Sequence, residues 1–350
     1  ASMDDESLYG RMVYRLNHAD AVNEGVVAPL KLVLLNVTES FERLVNENAV
    51  LRRELEGQPI STDTKLALAI FDCQQRFGAT TVFSFHAKNE RARLFSEVAQ
   101  SVLGAAASAF GAPGWSVDRV HGRMKASDRR DVLSAVSSER PTLITNARVL
   151  TTGVDVPAVD LVAFADPKQS HVDILQAMAR AARVSEGKDF GYVFVPIGED
   201  EEQGPYDTAI EVMRAYVASD EEVREALNAC ARESATRGRP LTTQEWPRKL
   251  RDFVADKGLL ETVVLERAVA TIARELTDSW ESKFGLRLAF REREGNCDVP
   301  QKHEEEGMKL GLWLNKQRQA QNKGKLDDGR RRRLEEAGVT WDVLDAQWEE

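Results

Sequence analysis

The sequence predicts an α/β fold: a parallel sheet with helices on both faces, followed by a helical connector and a small all-α domain. Three observations predict it. Short apolar runs alternate with helical patterns of about ten to fifteen residues up to roughly residue 200. From Gly204 the periodicity is helical throughout, and four of the six tryptophans, Trp280, Trp313, Trp341 and Trp348, fall in the last stretch of the chain. Strands buried on both faces read as continuous aliphatic runs, and their alternation with helices implies right-handed crossovers. A small helical unit has little core volume and fills it with large aromatic side chains.

Taken in order, residues 1–30 are a polar lead-in with a helix over 17–25. Lys31-Leu-Val-Leu-Leu-Asn-Val37 is the first strand. The alternation continues as helix 63–76, strand 80–85, helix 88–103, strand 116–120, helix 127–137, strand 141–145, strand 160–165, helix 171–184 and strand 191–196. This places one α/β domain over 31–203. In the connector, 204–277, Ala209, Val212, Met213, Tyr216 and Val217 share a helix face, further helices are expected over 243–257 and 262–276, and no strand is expected. The segment 278–350 is expected to be a separate helical domain. Its tryptophans, with Phe284 and Phe290, read as core anchors, base-stacking platforms being the alternative.

Composition narrows the classes of function. The chain has 350 residues, 42% of them apolar and 30% charged, an ordinary balance for a folded soluble protein. Cys73, Cys230 and Cys297 are too scattered for a disulfide framework or a CxxC metal site, which points to a reducing cytoplasm. No run approaches the ~20 apolar residues of a membrane span, and Asp4, Asp5 and Glu6 do not suit a signal peptide. The net charge of −10 argues against a generally basic coat. From Lys309 to Arg333, however, nine Lys or Arg face two acids, Asp327 and Asp328, so a nucleic-acid partner is not vetoed.

In an open parallel sheet, function collects at the carboxyl ends of the strands. Ser84 and His86 end one strand and His121-Gly122-Arg123 another. The run Asn146-Ala-Arg-Val-Leu-Thr-Thr-Gly-Val-Asp-Val-Pro157 follows a third. Hydroxyls and amides of Ser84, Thr151, Thr152 and Gly153 suit phosphate oxygens, so a phosphodiester strand fits this row. His86 and His121 can touch phosphate there, or serve as hydrogen-bonded structural residues. Gln176-Ala-Met-Ala-Arg-Ala-Ala-Arg183 sets Arg180 and Arg183 three apart on one helix. Such a pair can stabilise charge on a transferring phosphoryl group. Two arginines on a helix are otherwise ordinary surface residues; Gln176 and Asp155 favour the chemical reading. The sequence has no GxxxxGK[ST] loop, and His18, His171 and His303 show no metal spacing, so no metal site is assigned.

These motifs together resemble the C-terminal part of a superfamily 2 helicase. Val82-Phe-Ser-Phe-His86 resembles motif IV, Val120-His-Gly-Arg-Met124 the loop after it, Leu143 to Pro157 motif V, and Gln176 to Arg183 motif VI, QxxGRxxR. Met3-Asp-Asp-Glu-Ser-Leu-Tyr-Gly10 is similar to the stretch after the first RecA-like lobe in bacterial DEAD/DEAH-type helicases related to restriction-enzyme motor subunits. The resemblance spans about 3–200 and implies a second RecA-like lobe. It implies that Gln176, Arg180 and Arg183 face the ATP γ-phosphate and that Gly153 and Asp155 meet the nucleotide or organise the arginines. Ser84, Arg148, Thr151 and Thr152, with His86, His121 and Gly122, would line the nucleic-acid backbone. The motif VI glycine is Ala179 here, a methyl that a helix accepts but that could crowd the neighbouring lobe.

The tail resembles a helicase-associated domain over about 278–342. Trp280-x3-Phe284, Gly295-Asn-x2-Val299-Pro300, Gly307-x2-Leu310-Gly311-x-Trp313, Gln317-Arg318, Gly324-x-Leu326 and Gly338-x2-Trp341 carry the match. The implied role is nucleic-acid binding, with Lys316, Arg318 and Arg330 as contacts. The whole resemblance implies ATP and Mg2+ as cofactors, held mainly by a first lobe whose phosphate loop and Asp-Glu dyad this sequence lacks, with DNA and that first lobe as partners. The chain is then expected to be a fragment, or to work with a lobe on another polypeptide, and to have no turnover alone. The alternative is a non-catalytic nucleic-acid-binding or protein-docking module with a degenerate helicase lobe. For Arg330–Arg333, a further alternative is a solvated helix face neutralised by the flanking acids.

Overall fold

A single asparagine joins strand to helix at the start of the sheet. β1 (Leu30–Asn36) ends on Asn36, whose Oδ1 accepts from the N–H groups of Thr38 and Glu39 at 2.9 and 3.2 Å, while Glu39 accepts from Asn36 Nδ2 at 3.0 Å. This is a reciprocal cap. The computed structural model describes residues 18–57, 60–136, 139–146, 159–166, 171–197, 206–255, 257–277, 279–295, 299–305 and 308–341. α1 (His18–Asn23) lies within the lead-in. The Asn36 cap opens α2 (Val37–Glu47), and Asn48 repeats the device for α3 (Ala49–Leu55). Neither helix was expected, because no Gly or Pro separates strand from helix and the period changes without punctuation.

β2 (Thr81–Phe85), β3 (Ser116–Val120), β4 (Thr142–Asn146), β5 (Leu161–Phe164) and β6 (Gly191–Ile197) complete one parallel sheet ordered β1-β6-β5-β2-β4-β3. All six expected strands are present, with differences only at their ends. α4 (Thr62–Phe77) and α5 (Asn89–Phe110) pack together on one face, where Ile70, Phe71, Phe95 and Leu103 are buried with Val33, Leu35, Val82 and Leu143. α5 runs past its expected end at 103 because Ala105, Ala106 and Ala107 sustain it, and Gly111 closes it at φ 63°. α6 (Ala126–Ser134) lies beside β3, while α7 (His171–Ala181) and α8 (Asp207–Val217) lie against β5 and β6. The lobe is the α/β fold expected, with a parallel sheet.

Beyond α8 the chain forms α9 (Glu221–Arg237), α10 (Arg248–Phe253) and α11 (Thr262–Leu276). The helix expected over 243–257 is only six residues long. Pro247 has no N–H to bond residue 243, and Glu245 folds back to accept from Thr242 N and Oγ1 at 2.9 and 3.0 Å, so the stretch before Pro247 turns. Past α10, Val254 makes a parallel bridge to Leu32, and Ala255 N donates to Leu32 O at 2.8 Å. This touches the sheet edge where no strand was expected.

The chain divides into two compact units, residues 1–224 with 249–265, and residues 225–248 with 266–350. In the second, α12 (Ser279–Glu294), α13 (Leu310–Asn322) and α14 (Asp328–Glu336) enclose Trp280, Phe284, Phe290, Leu310, Trp313 and Leu334. Close approaches explain two of its glycines. A Cβ on Gly311 would stand 1.9 Å from Pro300 O, and one on Gly285 would stand 2.4 Å from Arg232 O. Trp280 stacks on Phe284 at 4.9 Å and meets Trp313 edge-on at 5.9 Å. Both tryptophans are buried, so they are core anchors and offer no open ring to a base.

Candidate functional site

Parallel strands deliver their carboxyl ends to one edge, and the order β2-β4-β3 makes the ends of these three neighbours. His86 N donates to Asn146 O at 2.9 Å, and Asn146 Nδ2 donates to Ser84 O at 3.1 Å, so the ends of β2 and β4 are tied side by side. Ser84 and His86 point inward, however. Both are fully buried; Ser84 Oγ and His86 Nε2 share a hydrogen bond of 3.1 Å, and the imidazole packs 4.9 Å from Phe95 of α5. The expectation that these two side chains touch an external strand is corrected on that ground: alternation along β2 turns them to the face α5 covers.

Behind this strand end stands a charged network that the motifs did not single out. Asp166 Oδ2 accepts from Ala87 N at 3.0 Å and lies 3.6 Å from His86 Nδ1. Asp166 Oδ1 is 3.8 Å from Arg91 Nε, and Arg91 forks onto both oxygens of Asp63 at 2.7 and 2.8 Å. Burial works to raise the Asp166 pKa, but His86, the Ala87 amide and Arg91 together hold its carboxyl below the usual range. An Asp-Pro pair directly after a strand is the sequence signal that marks this position.

The accessible part of the edge is the loop after β3. His121 is partly exposed, Gly122 is exposed, and Met124 N bonds back to His121 O at 3.1 Å. Burial and the charges of Arg119, Arg123 and Arg129 push the His121 pKa below its ordinary value. Arg123 and Arg129 form no ion pair among the described residues, and Arg129 reaches only Met124 O at 3.4 Å. Arg123 and Arg129 therefore add positive potential beside His121, while Arg119 also feels the carboxylate of Glu90. Arg148, Thr151, Thr152, Gly153 and Asp155 lie outside the described residues.

α7 leaves the carboxyl edge after β5 and returns to the amino edge ahead of β6. It therefore carries Arg180 and Arg183 to the side opposite the His121 loop. Gln176 and Arg180 are half-buried, Arg183 is exposed, and Ala179 presents its methyl at the surface. Among the described residues no group of three or more His, Cys, Asp or Glu could hold a metal ion.

In the second unit the basic run is mostly spent. Arg333 forks onto Glu281 at 2.7 Å twice, and Arg232 reaches the same carboxylate at 3.1 Å. Burial opposes ionisation of Glu281, but these guanidiniums hold its carboxyl below the usual range. Arg331 pairs with Glu335 at 3.2 Å and Arg332 with Glu336 at 4.0 Å. Arg330 and Arg333 lie over the Trp280 ring at 5.1 and 4.7 Å. Of the three expected contacts, Arg330 is thus stacked, Arg318 donates to Thr340 O at 3.0 Å, and Lys316 is exposed on α13 with no side-chain partner among the described residues.

Two families match the chain: the helicase conserved C-terminal domain over residues 70–185 and the helicase associated domain over residues 277–342. The African swine fever virus protein named Probable helicase A859L is 24% identical over 200 residues, 56% of this chain and 21% of its own length. The chain therefore spans about a fifth of that relative. Among solved structures, the ATP-dependent Type ISP restriction-modification enzyme LlaBIII bound to DNA aligns with 99% of this chain and 26% of its own, at 17% identity and a TM-score of 0.56. The C-terminal domain of the DEAD-box protein Dbp5 aligns with 55% of this chain and 87% of its own, at 14% identity and a TM-score of 0.33. No helix among the described residues is long and apolar enough to cross a membrane. Residues 70–185 thus match the helicase conserved C-terminal domain and residues 277–342 the helicase associated domain.

Proposed function

We propose that this chain supplies the second motor lobe of an ATP-dependent DNA helicase or translocase. The observation that carries the reading is a division of labour across one sheet. A positive loop at His121 lies on the carboxyl edge, and half-buried Arg180 on the last turn of α7 stands with exposed Arg183, just past that helix, at the amino edge. The first suits a phosphodiester backbone, with Gly122 letting it approach closely. The second suits the γ-phosphate of an ATP held by a phosphate-binding lobe, with Gln176 on the same helix and Gly153 and Asp155 meeting the nucleotide. Mg2+ would come with that lobe. Arg148, Thr151 and Thr152 would extend the track, while Ser84, His86 and Asp166 set the strand ends without touching it. DNA is favoured over RNA because the restriction enzyme with the same fold is bound to DNA.

Arginine fingers are worth roughly 10³ to 10⁵ in rate. In the protein that also carries the phosphate-binding lobe, Arg183→Ala should therefore lose ATP turnover by at least about 10³-fold while keeping nucleotide affinity. Unchanged turnover would remove the finger assignment. It would favour a non-catalytic binding or docking module, the reading to which Ala179 in place of the motif VI glycine gives some support.

A further inference from the structure

The end of a helix leaves carbonyls without intrahelical partners, and around the end of α7 most of them can be traced. Met178 O accepts from Ala182 N at 3.0 Å, and Arg180 O from Arg183 N at 3.4 Å. Ala182 O accepts from Ala28 N at 2.7 Å. Two more, Ala181 O in the helix and Arg183 O just past it, are taken by one side chain: Lys188 Nζ donates to them at 2.7 and 3.0 Å, and to Val159 O at 2.7 Å. An ammonium has three N–H donors, and here all three have backbone acceptors.

We propose that Lys188 is a positioning residue for the arginine pair, fixing the end of α7 to the start of β5 so that Arg180 and Arg183 stand where a γ-phosphate can meet them. This rests on the arginine-finger reading above. The anchor is itself held firmly. Asp160, next to Val159, accepts from Thr80 N, Thr80 Oγ1 and Thr81 N at 2.8, 2.9 and 3.0 Å, which ties the start of β5 to the start of β2. The turn that brings Lys188 back is equally constrained. Gly187 has φ 76°, Lys188 N bonds Ser185 O at 3.2 Å, and a Cβ on Gly191 would stand 2.0 Å from Ala181 O. Gly187-Lys188-x2-Gly191 is thus one device: a left-handed turn, a clamp, and a gap through which Ala181 O approaches the next strand. With its donors spent internally, Lys188 acts on the chemistry only through the helix. Burial outweighs the support of the Asp160 carboxylate and lowers the Lys188 pKa to about 8, so the ammonium and its three bonds are kept at neutral pH.

Two measurements test this. In the 350-residue chain, Lys188→Met should speed amide hydrogen exchange across residues 178–188 and leave the β2 and β4 amides unchanged, while Lys188→Arg should restore most of the protection. In the protein that carries the phosphate-binding lobe, Lys188→Met should lower kcat about 10- to 100-fold, the scale expected when a reacting group is misplaced by about an ångström. KM for ATP should stay within about threefold and Lys188→Arg should recover most of the rate, as expected when only the transition state loses an interaction. Unchanged exchange would overturn the clamp. Faster exchange with wild-type kcat, beside an inactive Arg183→Ala, would overturn the positioning role while sparing the finger. A fully active Arg183→Ala would sink both, whatever the exchange shows.

Discussion

The two units of this chain both hold clusters of arginine, and they use them in opposite ways. Around His121 the lobe gathers Arg119, Arg123 and Arg129, and the last two form no ion pair among the described residues. The helical unit has the louder signal in sequence, four consecutive arginines, yet Arg331 and Arg332 sit in i,i+4 pairs, Arg333 is locked on Glu281, and Arg330 lies over Trp280. A run of like charge in a sequence therefore does not by itself mark an anion site. What counts is how much of that charge the fold has already matched. Of the basic run in the helical unit, the cations left over are the lysines along α13 and its ends, Lys309, Lys316, Lys323 and Lys325, whose side chains have no partner among the described residues.

The largest test of this contrast is structural. If Trp280 is a core anchor that also carries two guanidiniums, Trp280→Ala should destabilise the helical unit by about 3–5 kcal/mol, read as a lower midpoint in thermal unfolding. A loss under 1 kcal/mol, with DNA affinity reduced, would make it a base platform instead. Next in size is Glu281→Gln, which strands Arg232 and Arg333. Breaking a buried pair costs about 3–5 kcal/mol, and because these arginines stay partly hydrated the expected loss is nearer about 2 kcal/mol.

Acid should act through the same carboxylate. The Glu281 pKa is lower folded than its ordinary 4.5, so its stabilisation is present above that value and fades as pH falls through the folded one. Acid unfolding of the helical unit should therefore deepen below about pH 4.5 and become shallower in Glu281→Gln. His121 gives a smaller effect of pH on binding. Burial and the neighbouring arginines keep it neutral to lower pH than usual, and a bound polyanion would offset the arginines. DNA affinity should thus rise modestly as pH drops from 7 towards 6, and His121→Gln should flatten that rise.

Much of the lobe was legible because its signals are periodic. The six expected strands are all present, and Arg180 stands on the expected helix, although that helix ends at Ala181 and leaves Arg183 two residues past it. The unexpected parts have specific causes. α2 starts inside an apolar run with no breaker, α10 is shortened by a proline that removes one donor, and the Val254 bridge depends on a neighbour far away in sequence. Ser84 and His86 show the limit at the site. Strand alternation could say that they share a face, but which face is covered by α5 is a tertiary fact. Lys188 escaped for a similar reason, since nothing in a lysine seven residues past a helix says that its three donors will converge on that helix's end.

The contrast between matched and unmatched arginine is tested most directly by salt titration of DNA affinity for two double variants of the chain. Each phosphate contact contributes about 0.9 to the slope of log K against log salt. Arg123→Gln with Arg129→Gln should weaken binding by about 10-fold or more and flatten the slope by about 2. Arg331→Gln with Arg332→Gln, removing the same formal charge, should change affinity less than about threefold and leave the slope nearly intact. Equal losses from the two variants, or a larger loss from the second, would contradict the account.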